Sequence, residues 1–306
     1  MALLHLLGNE IHVATFRGDI NALEILARHQ SLECPGRYFL SSIHVAAGIG
    51  CWETVAWIIK NGVQLDHARG NPLHVAVEGG HREVVKILLD AGADPNVSKG
   101  EYGSTLQSAV FLDKLDMVEL LIARNADFTR ERSVFGSALD IAACRRDDNA
   151  AMIVTLVRAG AKVDLRDSGH IPAIEGAVIC GHWKNVRTLM QLGASRGRSL
   201  ELAISRKQLR ITSMMLEHQP RLLESVTTSQ WSPLTCAVKN GDISMVILIL
   251  RMVQAAFRPT LLEMTDAWPR WTAYDYARRS GHQRIIRLLE MTKAHQSEPH
   301  LIYRSK

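Results

Sequence analysis

An aliphatic residue, often with His next, Ala three places on, a Gly-His-like pair at seven and eight and then a paired apolar run recur along the whole chain. The fullest copy, Asn71-Pro72-Leu73-His74-Val75-Ala76, continues through Gly80-His81 and Val84-Val85 to Ile87-Leu88-Leu89 and Gly92-Ala93. With the aliphatic residue as register, copies fall on Ile11, Ile43, Leu73, Leu106, Leu139, Ile174, Leu200, Leu234 and Tyr274, at steps of 32, 30, 33, 33, 35, 26, 34 and 40 residues. Leu73 and Ala76 share one face of a short helix, while Val84, Val85, Leu88 and Leu89 recur at helical spacing on a second. A period near 33 predicts a stacked array rather than a globular enzyme core. No copy can cover its apolar faces alone, so stability must come from stacking.

Local signals agree with tight turns around two helices. Pro72 suits a first helical position, where its missing N–H would have no partner. Gly92 ends the second helix by accepting a left-handed backbone. The Leu200 copy departs from the pattern, with Lys207-Gln208 where Gly-His is expected.

The phrase resembles the ankyrin repeat, whose signature is Thr-Pro-Leu-His followed by Ala and later by Gly-His and a Leu-rich second helix. Motif residues survive as Ile43-His44-Val45-Ala46-Ala47, Ser137-Ala138-Leu139-Asp140-Ile141-Ala142-Ala143, Gly181-His182 with Gly193-Ala194, Ser232-Pro233-Leu234, and Gly281-His282 with Leu288-Leu289. The resemblance runs over about residues 8 to 290 and implies an all-α solenoid of stacked helix-turn-helix units with projecting hairpin-like loops. The expected organisation is one array over residues 1–290, with repeats near 9–30, 41–64, 71–96, 104–127, 137–163, 172–194, 198–219, 232–253 and 272–290. A polar tail, 291–306, follows. Residues 1–7 are expected to be a helix closing the first repeat. His12, His44, His74, His81, His182 and His282 fall in the family's two histidine columns, where the resemblance implies hydrogen bonds tying the turns of adjacent repeats together.

Composition narrows the chemistry. With 47% apolar residues in 306, the chain can bury a substantial core, and no apolar run approaches the roughly 20 residues that span a bilayer. Cys34, Cys51, Cys144, Cys180 and Cys236 are odd in number and scattered, which reads as packing in a reducing compartment, cytoplasm or nucleus. The other seven histidines form no paired helical ligand motif, so no metal and no cofactor is expected. Asp147-Asp148 lies in a two-residue insertion and reads as a solvated turn. Gly100 and Gly103 sit in a loop without the Lys of a phosphate cradle. Nothing assembles a nucleophile, a base and an oxyanion hole.

Function must then lie in the columns the fold leaves free. In ankyrin-like arrays partners lie across the concave side, made by loop tips and by the first helix five and six places after the register residue. The loop tips supply Tyr38, Phe39, Tyr102, Phe135, His170, Trp231, Trp268 and Trp271, and aromatic residues there are favoured binding anchors. The helix column supplies Phe16, Ile49, Glu78, Phe111 and Leu112 early and Arg145, Arg206, Lys239 and Arg279 late. Residues 1–150 hold 14 Lys and Arg against 19 Asp and Glu, a balance of −5; residues 151–306 hold 22 against 12, a balance of +10, and together these give the net +5. That asymmetry favours a partner whose acidic segment aligns with the later repeats. Two breaks in period stand out: the short step before Leu200, expected to leave a notch, and the long Trp-rich loop before Tyr274.

The sequence therefore points to a monomeric, noncovalent protein-interaction module, an adaptor, inhibitor or scaffold binding a partly acidic protein segment on its concave face. The candidate contact residues are Tyr38, Phe39, Tyr102, Phe111, Phe135, Arg145, Arg206, Trp231, Lys239, Trp271 and Arg279. One alternative is an enzyme using a groove pocket near the notch, built from His170, Glu175, Cys180, His182 and Trp183. A further alternative is nucleic-acid contact through the basic second half, where Arg196, Arg198, Arg206, Lys207 and Arg210 could supply part of a stripe.

Overall fold

The computed structural model describes residues 9–33, 41–65, 71–96, 98–100, 103–127, 136–146, 148–164, 171–195, 198–224, 231–255, 263–265 and 271–297. Among them the recurring phrase folds as nine pairs of helices. The first five pairs are α1 (Glu10–Arg17) with α2 (Ile20–Leu26), α3 (Ser42–Ile49) with α4 (Trp52–Lys60), α5 (Pro72–Gly79) with α6 (Arg82–Asp90), α7 (Thr105–Phe111) with α8 (Leu115–Ala123), and α9 (Ala138–Arg145) with α10 (Ala150–Arg158). The other four are α11 (Ala173–Cys180) with α12 (Trp183–Gln191), α13 (Ser199–Ser205) with α14 (Leu209–His218), α15 (Pro233–Lys239) with α16 (Ile243–Ala255), and α17 (Ala273–Arg279) with α18 (Gln283–Ser297). A short hairpin, β1 (Ser98–Gly100) with β2 (Gly103–Ser104), projects before α7. The last helix runs to Ser297, seven residues beyond the boundary expected at 290, so the tail does not begin where the motif ends.

Capping explains where the first helices begin. Asn71 accepts the Leu73 N–H at 2.8 Å ahead of Pro72, and Ser232 accepts the Thr235 N–H at 3.1 Å ahead of Pro233. Ser104 with Gln107, and Thr272 with Asp275, form reciprocal capping boxes. The turn to the second helix needs a left-handed residue seven places after the register. Gly18, Gly50, Gly80, Gly181, Gly241 and Gly281 fill that place, and Asp113 and Lys207 adopt the same conformation, at φ 59° and 58°.

The chain divides into two compact units, residues 1–145 with 151–162, and residues 146–150 with 163–306. In the first unit the first helices pack in the order α1, α3, α5, α7, α9, and the second helices in the order α4, α6, α8. The second unit repeats the scheme with α11, α13, α15, α17 in one layer and α12, α14, α16, α18 in the other. Leu73, Ala76, Val85 and Leu88 are wholly buried, as are Ala177, Val186, Leu189 and Ala203 at corresponding sites. The small Ala brings the first helices close; the branched and Leu side chains fill the space between layers.

Hydrogen bonds between copies reinforce the stacking. His81 Nε2 donates to Gly48 O at 3.0 Å, while His74 contacts Ser108 Oγ at 3.1 Å and Thr105 Oγ1 at 3.5 Å in the next copy. The His81 ring lies so close to Gly50 that a Cβ there would come within 2.3 Å of it, a second reason for glycine at that turn. Gln208 takes the histidine's part in the irregular copy, its Nε2 donating to Val178 O at 2.7 Å. The insertion around residue 148 is pinned from α12: Asn185 accepts the Asn149 N–H at 2.9 Å and donates to Arg146 O, and Lys184 Nζ lies 2.6 Å from Asp148 Oδ2.

Candidate functional site

The two basic columns behave differently, according to their distance from the register residue. Arg145 and Arg206 stand six places after it and reach back to the preceding copy. Arg145 Nε donates to Phe111 O at 2.7 Å, and its guanidinium lies 4.0 Å from the centre of the Phe111 ring. Arg206 Nη1 makes the corresponding, longer contact to Ile179 O at 3.4 Å. These side chains strap neighbouring first helices together at their C-terminal ends, where the helix dipole and unpaired carbonyls favour a cation.

Lys239 and Arg279 stand five places after the register and fold instead onto a tryptophan three places before it. Lys239 Nζ sits 3.3 Å from the Trp231 ring centre, and the Arg279 guanidinium 4.5 Å from that of Trp271. Trp271 also meets Tyr276 edge-on, with centroids 5.1 Å apart. Both tryptophans are half-buried and both cations are exposed. The stack contributes about 0.5–1 kcal/mol at such exposure and holds the cation over a flat apolar plate. What results, in two successive copies of the second unit, is a paired aromatic and cationic surface.

Aromatic anchors and basic contacts were expected as separate columns; Arg145 with Phe111, Lys239 with Trp231 and Arg279 with Trp271 are instead each other's partners, while Arg206 rests on a backbone carbonyl. The signal was present in the sequence as Trp231-x7-Lys239 and Trp271-x7-Arg279, and as a basic residue 34 places after Phe111. Of the remaining expected contacts, Tyr38, Phe39, Tyr102 and Phe135 lie outside the described residues, as do residues 1–7, Cys34, Asp147, His170, Arg196 and Trp268.

Around the short step before Leu200, Glu175 is buried and accepts the Arg198 N–H at 3.2 Å, which ties the loop to α11. Trp183 opens α12 and stacks on Arg210. Each of these two has a structural partner. Burial is the main cause pushing the Cys236 thiol up to about 11, which leaves it protonated and unreactive at neutral pH. Among the described residues no three of His, Cys, Asp and Glu gather as a metal site, and no helix is long and apolar enough to cross a membrane.

Comparison with known proteins agrees with this fold. The model of the family described as ankyrin repeats (3 copies) matches residues 11–99. The human transient receptor potential cation channel subfamily A member 1 is 24% identical over 240 residues, which are 78% of this chain and 17% of that protein. Human ankyrin repeat and SOCS box protein 11 is 31% identical over 121 residues, 38% of this chain and 37% of that one. The crystal structure of the human ASB11 ankyrin repeat domain superposes with a TM-score of 0.54 at 19% identity, covering 80% of this chain and 97% of the domain. The chain thus spans well under half the length of these curated relatives. Ankyrin repeats are general protein–protein interaction modules, built to present variable side chains from a repeated frame. Residues 11–99 thus match the ankyrin-repeat family, and the chain shares the fold of ankyrin repeat domains.

Proposed function

We propose that this chain works by noncovalent recognition of a protein partner, as an adaptor, inhibitor or scaffold, through the ends of its first helices and the loops before them. The observation that carries the reading is the repeated pair of Trp231 with Lys239 and Trp271 with Arg279, flanked by the exposed Arg206. Each pair offers an apolar plate beside a fixed positive charge, which suits a segment alternating apolar and carboxylate side chains. The excess of +10 in residues 151–306 adds long-range attraction for the same partner. The scattered cysteines of the sequence suit a reducing compartment such as the cytoplasm or nucleus.

The test is charge reversal. A fluorescein-labelled extended peptide that alternates Glu and Leu along its length, read by anisotropy, should bind the wild type. Arg206→Glu combined with Lys239→Glu should weaken it at least about tenfold, or about 1.4 kcal/mol, with only the modest fall in melting temperature that loss of the Arg206 strap and the Lys239 stack entails and with the chain still folded at the assay temperature. Unchanged affinity in that variant refutes the assignment. Tighter binding of single-stranded DNA than of the peptide, lost in the same variant, would replace it with nucleic-acid contact.

A further inference from the structure

In the first unit two ion pairs close the seam between the second helices α6 and α8. Arg82 Nη1 donates to Asp116 O at 2.8 Å and lies 3.4 Å from Asp116 Oδ2 at one end, and Arg124 Nη2 lies 2.7 Å from Asp90 Oδ1 at the other. Counted from their register residues, these are positions nine and ten, then seventeen and eighteen. Between α12 and α14 of the second unit the same positions hold Trp183 with Arg210, and Gln191 with His218. The Arg210 guanidinium lies 3.6 Å from the Trp183 ring centre, so a cation–π stack replaces the first ion pair, and neither residue at the other end is a carboxylate.

Between these ends runs a groove of about 590 Å³. Its floor is Met190, 5% exposed, with the half-buried Met214, and Arg187 joins Arg210 on the exposed rim. Glu217, the carboxylate among the lining residues, already accepts the Ser213 hydroxyl at 2.5 Å. The groove is thus apolar below and predominantly cationic above.

The geometry points to this groove as a docking site for a short amphipathic helix of another protein, one with acidic residues beside an apolar seam. Three observations choose that occupant. Arg187 and Arg210 supply positive charge that the groove's own carboxylate does not answer, so the complement is anionic. The nine residues of α12 span about 13 Å, the length of two to three turns, which matches helix-in-groove recognition through residues at i, i+3 or i+4. Methionine on both flanks makes an adaptable apolar floor. Nucleic acid fits less well, because Arg210 already covers a face of Trp183 and the floor offers methionine rather than aromatic plates. The groove lies on the second-helix layer and stands independently of the first-helix surface proposed above.

The experiment uses the full chain with its methionine methyls labelled with carbon-13. The probe is a helical peptide of about 16 residues, four to five turns, with Leu at i and i+4 and Glu alongside. The expected result is saturable binding that shifts the Met190 and Met214 methyls, weakened at least tenfold by Arg187→Glu with Arg210→Glu and unaffected by Arg206→Glu with Lys239→Glu. A matched peptide with Lys in place of Glu should not bind. No saturable binding, binding that leaves both methyls unmoved, or equal affinity for the Lys peptide would each overturn the proposal, as would methyl shifts produced by single-stranded DNA and not by the peptide. Thermal melts of the variants confirm that they fold.

Discussion

Replacing Gln208 with Ala removes one hydrogen bond between successive copies of the second unit, and the structure fixes how much that should cost. The Nε2 to Val178 O distance, 2.7 Å, is that of a good amide bond, and the group is partly buried. Val178 O also accepts the Gly181 N–H at 3.0 Å, so the carbonyl keeps a partner after truncation. That argues for the net value of a neutral hydrogen bond, about 1 kcal/mol, rather than the larger penalty for a stranded buried group. Gln208 Oε1, by contrast, is buried with no hydrogen-bond partner among the described residues, a cost the wild type already carries. Histidine, the residue at this place in the Leu73 copy, carries a donor nitrogen without the amide oxygen. Gln208→Ala should therefore destabilise by about 1 kcal/mol, while Gln208→His should match or exceed the wild type. Because the chain forms two units, a single unfolding midpoint can blur the effect, and native-state hydrogen exchange is the sharper assay. Amides of α11 and α13 should open about fivefold more often in the Ala variant, the equivalent of about 1 kcal/mol, with α5 and α7 unchanged. Equal exchange in α11 and α13, or a His variant weaker than the Ala variant, would refute this account of the column.

Two other expectations follow from the same turns. Lys207 holds a left-handed backbone at φ 58°, which costs a residue with a side chain about 1–2 kcal/mol, whereas glycine gives back about 0.5–1 in unfolded-state entropy; Lys207→Gly should thus raise the urea midpoint slightly, and a fall would contradict the strain argument. His74 is held below the ordinary imidazole value of 6.5, chiefly by burial and against the pull of Glu78, so its folded form resists protonation. The unfolded chain then binds the extra proton first, and stability that is complete above 6.5 is lost as pH falls below it. Between about pH 7.5 and about pH 5.5 the wild type should lose more melting temperature than His74→Gln; parallel curves would show that burial of His74 is not a pH-sensitive term.

Much of the architecture is written in the chain because each copy repeats a local pattern. Leu73 with Ala76, and Val84 with Val85, Leu88 and Leu89, need only helical periodicity to be read as two faces, and Asn71-Pro72 and Gly80 mark the helix limits through backbone preferences that act within a few residues. Pairings between copies were not legible in the same way, since they depend on side chains about 30 residues apart meeting at atomic distance. Only stacking shows that Arg145 lies on Phe111, that Gln208 replaces a histidine, and that Asn185 holds the insertion before α10. The sequence thus settled the helix pairs and the acidic-to-basic trend along the chain. Tertiary packing decided which charges strap repeats, which rest on tryptophan, and where two arginines border a methionine-floored groove, because a side chain's partner is set by three-dimensional neighbours and not by period.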